Sequence, residues 1–207
     1  QTSTFNHFER SKNILVCTTD AYDTVLQWPG SGGTFASILN TSAPTARFAI
    51  NHQGFLILLN SSTRKRGFFY ADENLQLTDP WNNSFDLPSS DDDEITAGFI
   101  LNKYLYVSTR YRLFRVAFQG GNPDWVFAQV KDWGYVPRTV QMVSIQGGGQ
   151  VAVGIDWNRR LRMFDGANDQ FMSDNVENDN QICDFAMRKV SYAGSGLQIC
   201  HATLDPN

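Results

Sequence analysis

Five short apolar runs recur along the chain: Ile14-Leu15-Val16, Phe55-Leu56-Ile57-Leu58-Leu59, Tyr104-Leu105-Tyr106-Val107, Val151-Ala152-Val153 and Val190-Ser191-Tyr192-Ala193. Their starts lie 41, 49, 47 and 39 residues apart. A period of this length marks a supersecondary unit that cannot bury its own faces and has to stack on copies of itself. Each run occupies the same frame. A short strand precedes it: Phe5–Glu9, Arg47–Ile50, Ala97–Leu101, Met142–Ile145 and Cys183–Met187. Between the two stands a turn such as Asn51-His52-Gln53-Gly54, Asn102-Lys103 or Gly147-Gly148-Gly149. Gly and Asn there supply the positive φ of a hairpin turn. A third strand follows at Thr24–Trp28, Gly67–Ala71, Leu113–Phe118, Leu161–Phe164 and Leu197–Ala202. Four units add a fourth, at Thr34–Leu39, Leu75–Thr78, Trp125–Val130 and Gln170–Ser173.

The repeat is therefore a four-stranded antiparallel meander, and the predicted fold is all-β. Set radially, each sheet covers its neighbour, which is the solution of a β-propeller. The expected architecture is one domain over 1–207, a five-bladed propeller with blades at 5–40, 46–83, 95–130, 140–173 and 182–207. The fifth blade lacks a fourth strand, and the N-terminal segment 1–4 is expected to supply it and close the ring. A fragment of a longer propeller and a β-sandwich are the alternatives. Small residues on the first strands, Ala46, Ala49, Ala97, Gly98, Ser144 and Ala186, suit a crowded axis.

Charge narrows the function. The chain has 17 Lys and Arg against 21 Asp and Glu, a net charge of −4. That balance disfavours a general nucleic-acid binder, which needs clustered cations for phosphate. No apolar run approaches the ~20 residues of a membrane-spanning helix. Cysteine is sparse, at Cys17, Cys183 and Cys200, with no zinc-site spacing. The chain starts at Gln1, and sequons stand at Asn40, Asn60 and Asn82. A secreted glycoprotein is expected from these features.

The stretch Asn122-Pro123-Asp124-Trp125-Val126-Phe127-Ala128-Gln129-Val130 resembles the Asn-Trp element of tachylectin-type propeller lectins. Asp132-Trp133-Gly134 stands where that family has a Gly-Gly-Trp linker, and Met142-Val143-Ser144-Ile145 with Val151-Ala152-Val153-Gly154 is similar to its next two strands and to tectonin repeats. The resemblance implies a five-bladed lectin with sugar sites between blades, taking GlcNAc-type or methylated glycans. One copy of the element is recognisable. Asp79-Pro80-Trp81-Asn82 is a weaker version, and Asn168-Asp169-Gln170-Phe171 lacks the Trp.

A sugar site needs an aromatic ring for the C–H face of a pyranose and carboxylate or amide groups for its hydroxyls. The expected sugar-binding residues are Asn122, Asp124, Trp125, Asp132, Trp133, Asp79 and Trp81. A Trp at a blade junction also serves as core, and Asp or Asn beside Pro also forms turns. A second pattern lies in the turns between strands two and three. Arg110-Tyr111-Arg112 and Asp156-Trp157-Asn158-Arg159-Arg160 would make a basic and aromatic rim, or simply solvated loops.

No cofactor or metal is expected. The run Asp91-Asp92-Asp93-Glu94 lacks the Gly and the distal acid of an EF-hand loop. An enzyme of the five-bladed glycosidase kind would need paired carboxylates on inner strands, for which only Glu9 and Asp184 offer themselves. The expectation is a non-catalytic carbohydrate-binding lectin, with a protein-binding propeller scaffold as the alternative.

Overall fold

The computed structural model describes residues 6–11, 14–28, 36–38, 42–72, 81, 83–120, 124–145 and 149–171. These residues are all-β, and no helix is present among them; none is therefore long and apolar enough to cross a membrane. Sixteen strands form four sheets. The first holds β1 (Asn6–Ser11), β2 (Ile14–Thr19), β3 (Leu26–Trp28) and β4 (Ala36–Ile38). The second holds β5 (Phe48–His52), β6 (Phe55–Leu59), β7 (Gly67–Asp72) and β8 (Ser84–Asp86). The third holds β9 (Ile95–Leu101), β10 (Tyr104–Thr109), β11 (Leu113–Phe118) and β12 (Trp125–Lys131). The fourth holds β13 (Gln141–Ser144), β14 (Gln150–Ile155), β15 (Leu161–Phe164) and β16 (Asp169–Phe171). In every sheet, spatial order follows chain order. This meander is the blade of a β-propeller.

The apolar runs make the second strands because a strand covered on both faces needs no polar alternation. In β6, Leu56, Ile57, Leu58 and Leu59 are all fully buried. Two-residue turns set the register of the first hairpins. Gln53 and Gly54, with φ of 51° and 81°, join β5 to β6, and Asn102 and Lys103, with φ of 49° and 70°, join β9 to β10. Two positive φ angles in succession give the turn twist that antiparallel strands favour.

The described residues therefore hold four blades, not five. The strands expected within 182–207 and the closing segment 1–4 lie outside them, as does the fourth strand expected at Leu75–Thr78. In the second blade β8 pairs with β7 at Gly67↔Asp86, Phe68↔Phe85 and Phe69↔Ser84, so the blade ends beyond its predicted limit at 83. Ser84-Phe85-Asp86 is too short and too polar to stand out in the sequence as a strand.

The chain divides into two compact units, 1–98 and 99–207. In the first, Val16, Val25, Ala46, Ala49, Leu56, Leu58, Phe69, Ala71 and Trp81 form one apolar cluster. Of the small residues expected on the first strands, Ala49 and Ala97 are buried, Ala46 is buried just ahead of β5, and Gly98 is half-buried. In the second, the cluster is Phe99, Leu101, Tyr106, Leu113, Tyr135, Ala152 and Phe164. Ser144, by contrast, is exposed.

Gly134 marks the tightest backbone approach in the second unit. A Cβ there would stand 2.8 Å from the Thr109 carbonyl carbon and 2.9 Å from Ser108 Oγ. That hydroxyl already accepts the Tyr135 N–H at 2.8 Å. Rigid backbone cannot give way as a side-chain tip can, so Gly134→Ala is expected to cost about 3 kcal/mol, in the range of severe overpacking. Denaturant unfolding checks this, with the midpoint falling and the slope unchanged.

Candidate functional site

Of the expected sugar-binding rings, Trp125 and Trp81 are buried in the core and Trp133 is half-buried against it. Trp125 opens β12 at 1% exposure, its ring 5.1 Å from that of Phe118. Trp81 is 5% exposed, belongs to the first unit's cluster, and donates its backbone N–H to Ser42 Oγ at 3.1 Å. Trp133 packs on the second unit's cluster, edge-on to Tyr135 at 5.0 Å and to Phe164 at 6.2 Å. Neither Trp125 nor Trp81 presents the open ring face that a pyranose needs. Asp124 is half-buried, with its backbone carbonyl accepting the Gln119 N–H at 2.7 Å, and Asp132 is exposed. Asn122 and Asp79 lie outside the described residues.

The Asn60 sequon is buried in the first unit. Its side chain is 0% exposed, with Nδ2 donating to the Ile95 carbonyl at 2.7 Å and Oδ1 accepting from the Tyr22 hydroxyl at 3.0 Å. An amide nitrogen so engaged cannot carry a glycan in the folded chain. Asn40 and Asn82 lie outside the described residues. Glu9 is half-buried; desolvation raises its pKa, against the Asn51 N–H that it accepts at 3.3 Å. Its proposed partner, Asp184, lies outside the described residues. No cluster of metal-ligating side chains occurs among the described residues.

The rim between strands two and three is built by a device that recurs in all four blades. A buried side-chain oxygen at the end of the second strand accepts a backbone N–H from the turn that follows. Thr19 Oγ1 takes the N–H of Asp23 at 3.2 Å, and Ser61 Oγ that of Arg64 at 2.9 Å. Thr109 Oγ1 takes that of Arg112 at 3.0 Å. Asp156 Oδ1 takes two, from Asn158 at 2.9 Å and Arg160 at 3.0 Å. Short polar side chains favour such local bonds. The sequence signal was a Thr, Ser or Asp closing each apolar run, which a reading for exposed chemistry passes over.

Within each unit, a cation from one turn covers a ring from the neighbouring blade's turn. In the first, Lys65 Nζ lies 3.5 Å from the Tyr22 ring centroid. In the second, Arg110 lies 4.9 Å from the Trp157 ring and 5.3 Å from that of Tyr111. The two patterns singled out in the sequence, 110–112 and 156–160, are thus brought together. Tyr111 is 44% exposed, while Trp157 is half-buried. Arg159 holds φ at 65°, and its neighbour Arg160 rests over Phe171 at 4.8 Å.

Beneath this rim, Asp156 and Arg162 form a buried ion pair, with Arg162 Nη2 at 2.8 Å and Nε at 3.2 Å from Asp156 Oδ2. Arg162 also bonds Asp169 through Nη1 and lies 4.2 Å from the rings of both Trp133 and Phe171. Lys131 Nζ reaches Asp169 at 2.7 Å. Burial alone would raise the Asp169 pKa, but the bonds from Lys131 and Arg162 outweigh it and hold the group below the ordinary carboxylate value.

No protein-family model matches the chain, and no curated protein sequence does. Among solved structures it is similar to the crystal structure of Citrobacter koseri AztD, with a TM-score of 0.49 and 9% identity over 81% of this chain and 45% of that one. It is similar also to apo AztD from Citrobacter koseri, with a TM-score of 0.49 and 10% identity over 81% and 46% of the two chains. The chain spans less than half the length of these structures. Nothing in these comparisons points to the tachylectin-type or tectonin families.

Two outcomes are expected. Trp125→Ala should destabilise the fold by about 3–5 kcal/mol, the cost of emptying a buried aromatic site, visible in thermal unfolding. Because Asp169 is held below its unfolded pKa, its contribution is full above about pH 4 and is lost as pH falls through its folded value. The stability gap between the native chain and Asp169→Asn, measured by urea titration, should therefore be widest near neutrality and close progressively in acid.

Proposed function

We propose that the chain is a non-catalytic, secreted carbohydrate-binding module. The ligand surface in this reading is the rim of the second unit. The observation that carries it is the Arg110 guanidinium lying 5.3 Å from the exposed ring of Tyr111 and 4.9 Å from the half-buried ring of Trp157. An exposed phenol beside fixed guanidinium donors supplies the two parts of a sugar site, a face for C–H groups and donors for hydroxyls. Turns held by buried side-chain oxygens support the reading further, since a preordered site loses less freedom on binding.

Such a site is open and small. A single sugar contributing about 4–6 kcal/mol would bind near the millimolar range, and useful affinity would come from multivalent display of the glycan. The second reading, a protein-binding scaffold, is favoured by one feature: Tyr104 and Phe118 on the third blade are exposed.

A glycan array with folded protein, beside a pull-down, separates the two readings. Tyr111→Ala should reduce retention on immobilised glycan by roughly fivefold, about the worth of one stacking contact, with no change in melting temperature. A blank array from folded protein passes the function to the scaffold reading.

A further inference from the structure

We propose that the glycan taken by the second unit's rim is anionic, bearing sulfate esters or carboxylates. This inference rests on the carbohydrate reading above and specifies its substrate class. The chain is acidic, at −4. Yet the turn pair of the second unit carries Arg110, Arg112, Arg159 and Arg160 within two short segments.

The carboxylate closest in sequence to the last two, Asp156, does not neutralise them. Its Oδ2 is held by Arg162, and its Oδ1 accepts backbone N–H groups, including that of Arg160. Among the described residues neither Arg159 nor Arg160 forms an ion pair, while both are exposed. The first unit differs: there Arg64 is paired with Asp86 at 3.0 Å and Arg66 with Asp91 at 2.6 Å. In the turn between strands two and three, Arg64 and Arg66 of the second blade are thus ion-paired, while among the described residues Arg159 and Arg160 of the fourth blade are exposed and form no ion pair.

The aromatic floor adds to this. Arg110 lies 4.9 Å from the Trp157 ring and Arg160 4.8 Å from the Phe171 ring, so each guanidinium is held close to an aromatic side chain. A planar fork so placed suits the paired oxygens of a sulfate or carboxylate, and charge-assisted bonds are about twice as strong as neutral ones. A neutral sugar would use the ring of Tyr111 and leave Arg159 and Arg160 without an ionic partner.

The test compares four probes by titration calorimetry: a sulfated glycosaminoglycan oligosaccharide, its desulfated counterpart, a sialylated oligosaccharide and a DNA duplex of similar length. The proteins are the full chain, Arg159→Gln/Arg160→Gln, and a charge-matched control, Arg10→Gln/Lys103→Gln, whose residues lie on β1 and in the β9–β10 turn. Unchanged thermal melts establish that each variant folds. The expected result is binding of the sulfated or the sialylated probe, with the arm that binds naming the anion. Binding should fall roughly tenfold or more in the rim variant, as for the loss of charge-assisted bonds, and stay level in the control. Equal binding of sulfated and desulfated probes, with no preference for the sialylated one, overturns the anionic inference and leaves the carbohydrate reading standing. Equal losses in both variants overturn it as diffuse charge attraction. Tighter binding of DNA overturns it in favour of a phosphate ligand. Binding of none of the probes, together with a blank neutral-glycan array, removes the carbohydrate reading itself.

Discussion

The guanidinium of Arg162 lies between Asp156 and Asp169 with an indole and a phenyl ring against it. Removing such a charge from water costs several kcal/mol, and the pair persists only because the geometry and the remaining hydrogen bonds offset that cost. Asp156 could not otherwise sit buried beneath an exposed turn. Its second oxygen then collects two backbone N–H groups, which sets the course of 156–160 and with it the position of Trp157 and Arg160. One buried arginine therefore joins the core of the second unit to the surface it displays. Arg47 has a comparable place in the first unit, hydrogen-bonded to Asp20 at 3.3 Å, ion-paired with Glu94 at 3.6 Å and 5.7 Å from the Tyr22 ring centroid.

Much of this fold is legible from periodicity. The runs at 14, 55, 104 and 151 are second strands, and their flanking strands fall within a few residues of where alternation and turn residues place them. The fourth strand of the second blade is not legible, because Ser84–Asp86 is three residues long and takes its strand character from pairing with β7. The Trp residues show a different limit. Asp-Trp and Pro-Trp neighbours look the same whether the ring turns inward or outward, and a shift of one position in a strand reverses the answer. Trp125 pairs with Phe118 at the start of β12 and faces inward.

The rim fared better because charge and aromaticity in a turn leave few places for the side chains to go. The motifs 110–112 and 156–160 were visible in equivalent turns. What the sequence could not hold was the contact between them, since Arg110 and Trp157 meet only when neighbouring blades pack. Asp156 belongs to the same lesson: among exposed arginines it passes for a loop acid, and only its partner Arg162 makes it structural. The four turns use Thr, Ser, Thr and Asp for one geometric task, so the repeat lies in the acceptor oxygen and not in the letter.

Asn60 places the first unit in a race. Its amide nitrogen is the atom a glycosyltransferase would modify, and the same atom donates to the Ile95 carbonyl from a fully buried position. In any compartment where that transferase acts on nascent chain, Asn60 is available only until β6, the turn after it and the start of β9 have come together. A chain modified first would carry a bulky, hydrated group at the point where Tyr22, Asn60 and Ile95 meet, and could not complete the first unit. The speed with which the 35 residues from Asn60 to Ile95 are made and packed then decides the yield of native protein, a kinetic demand written into a single buried amide.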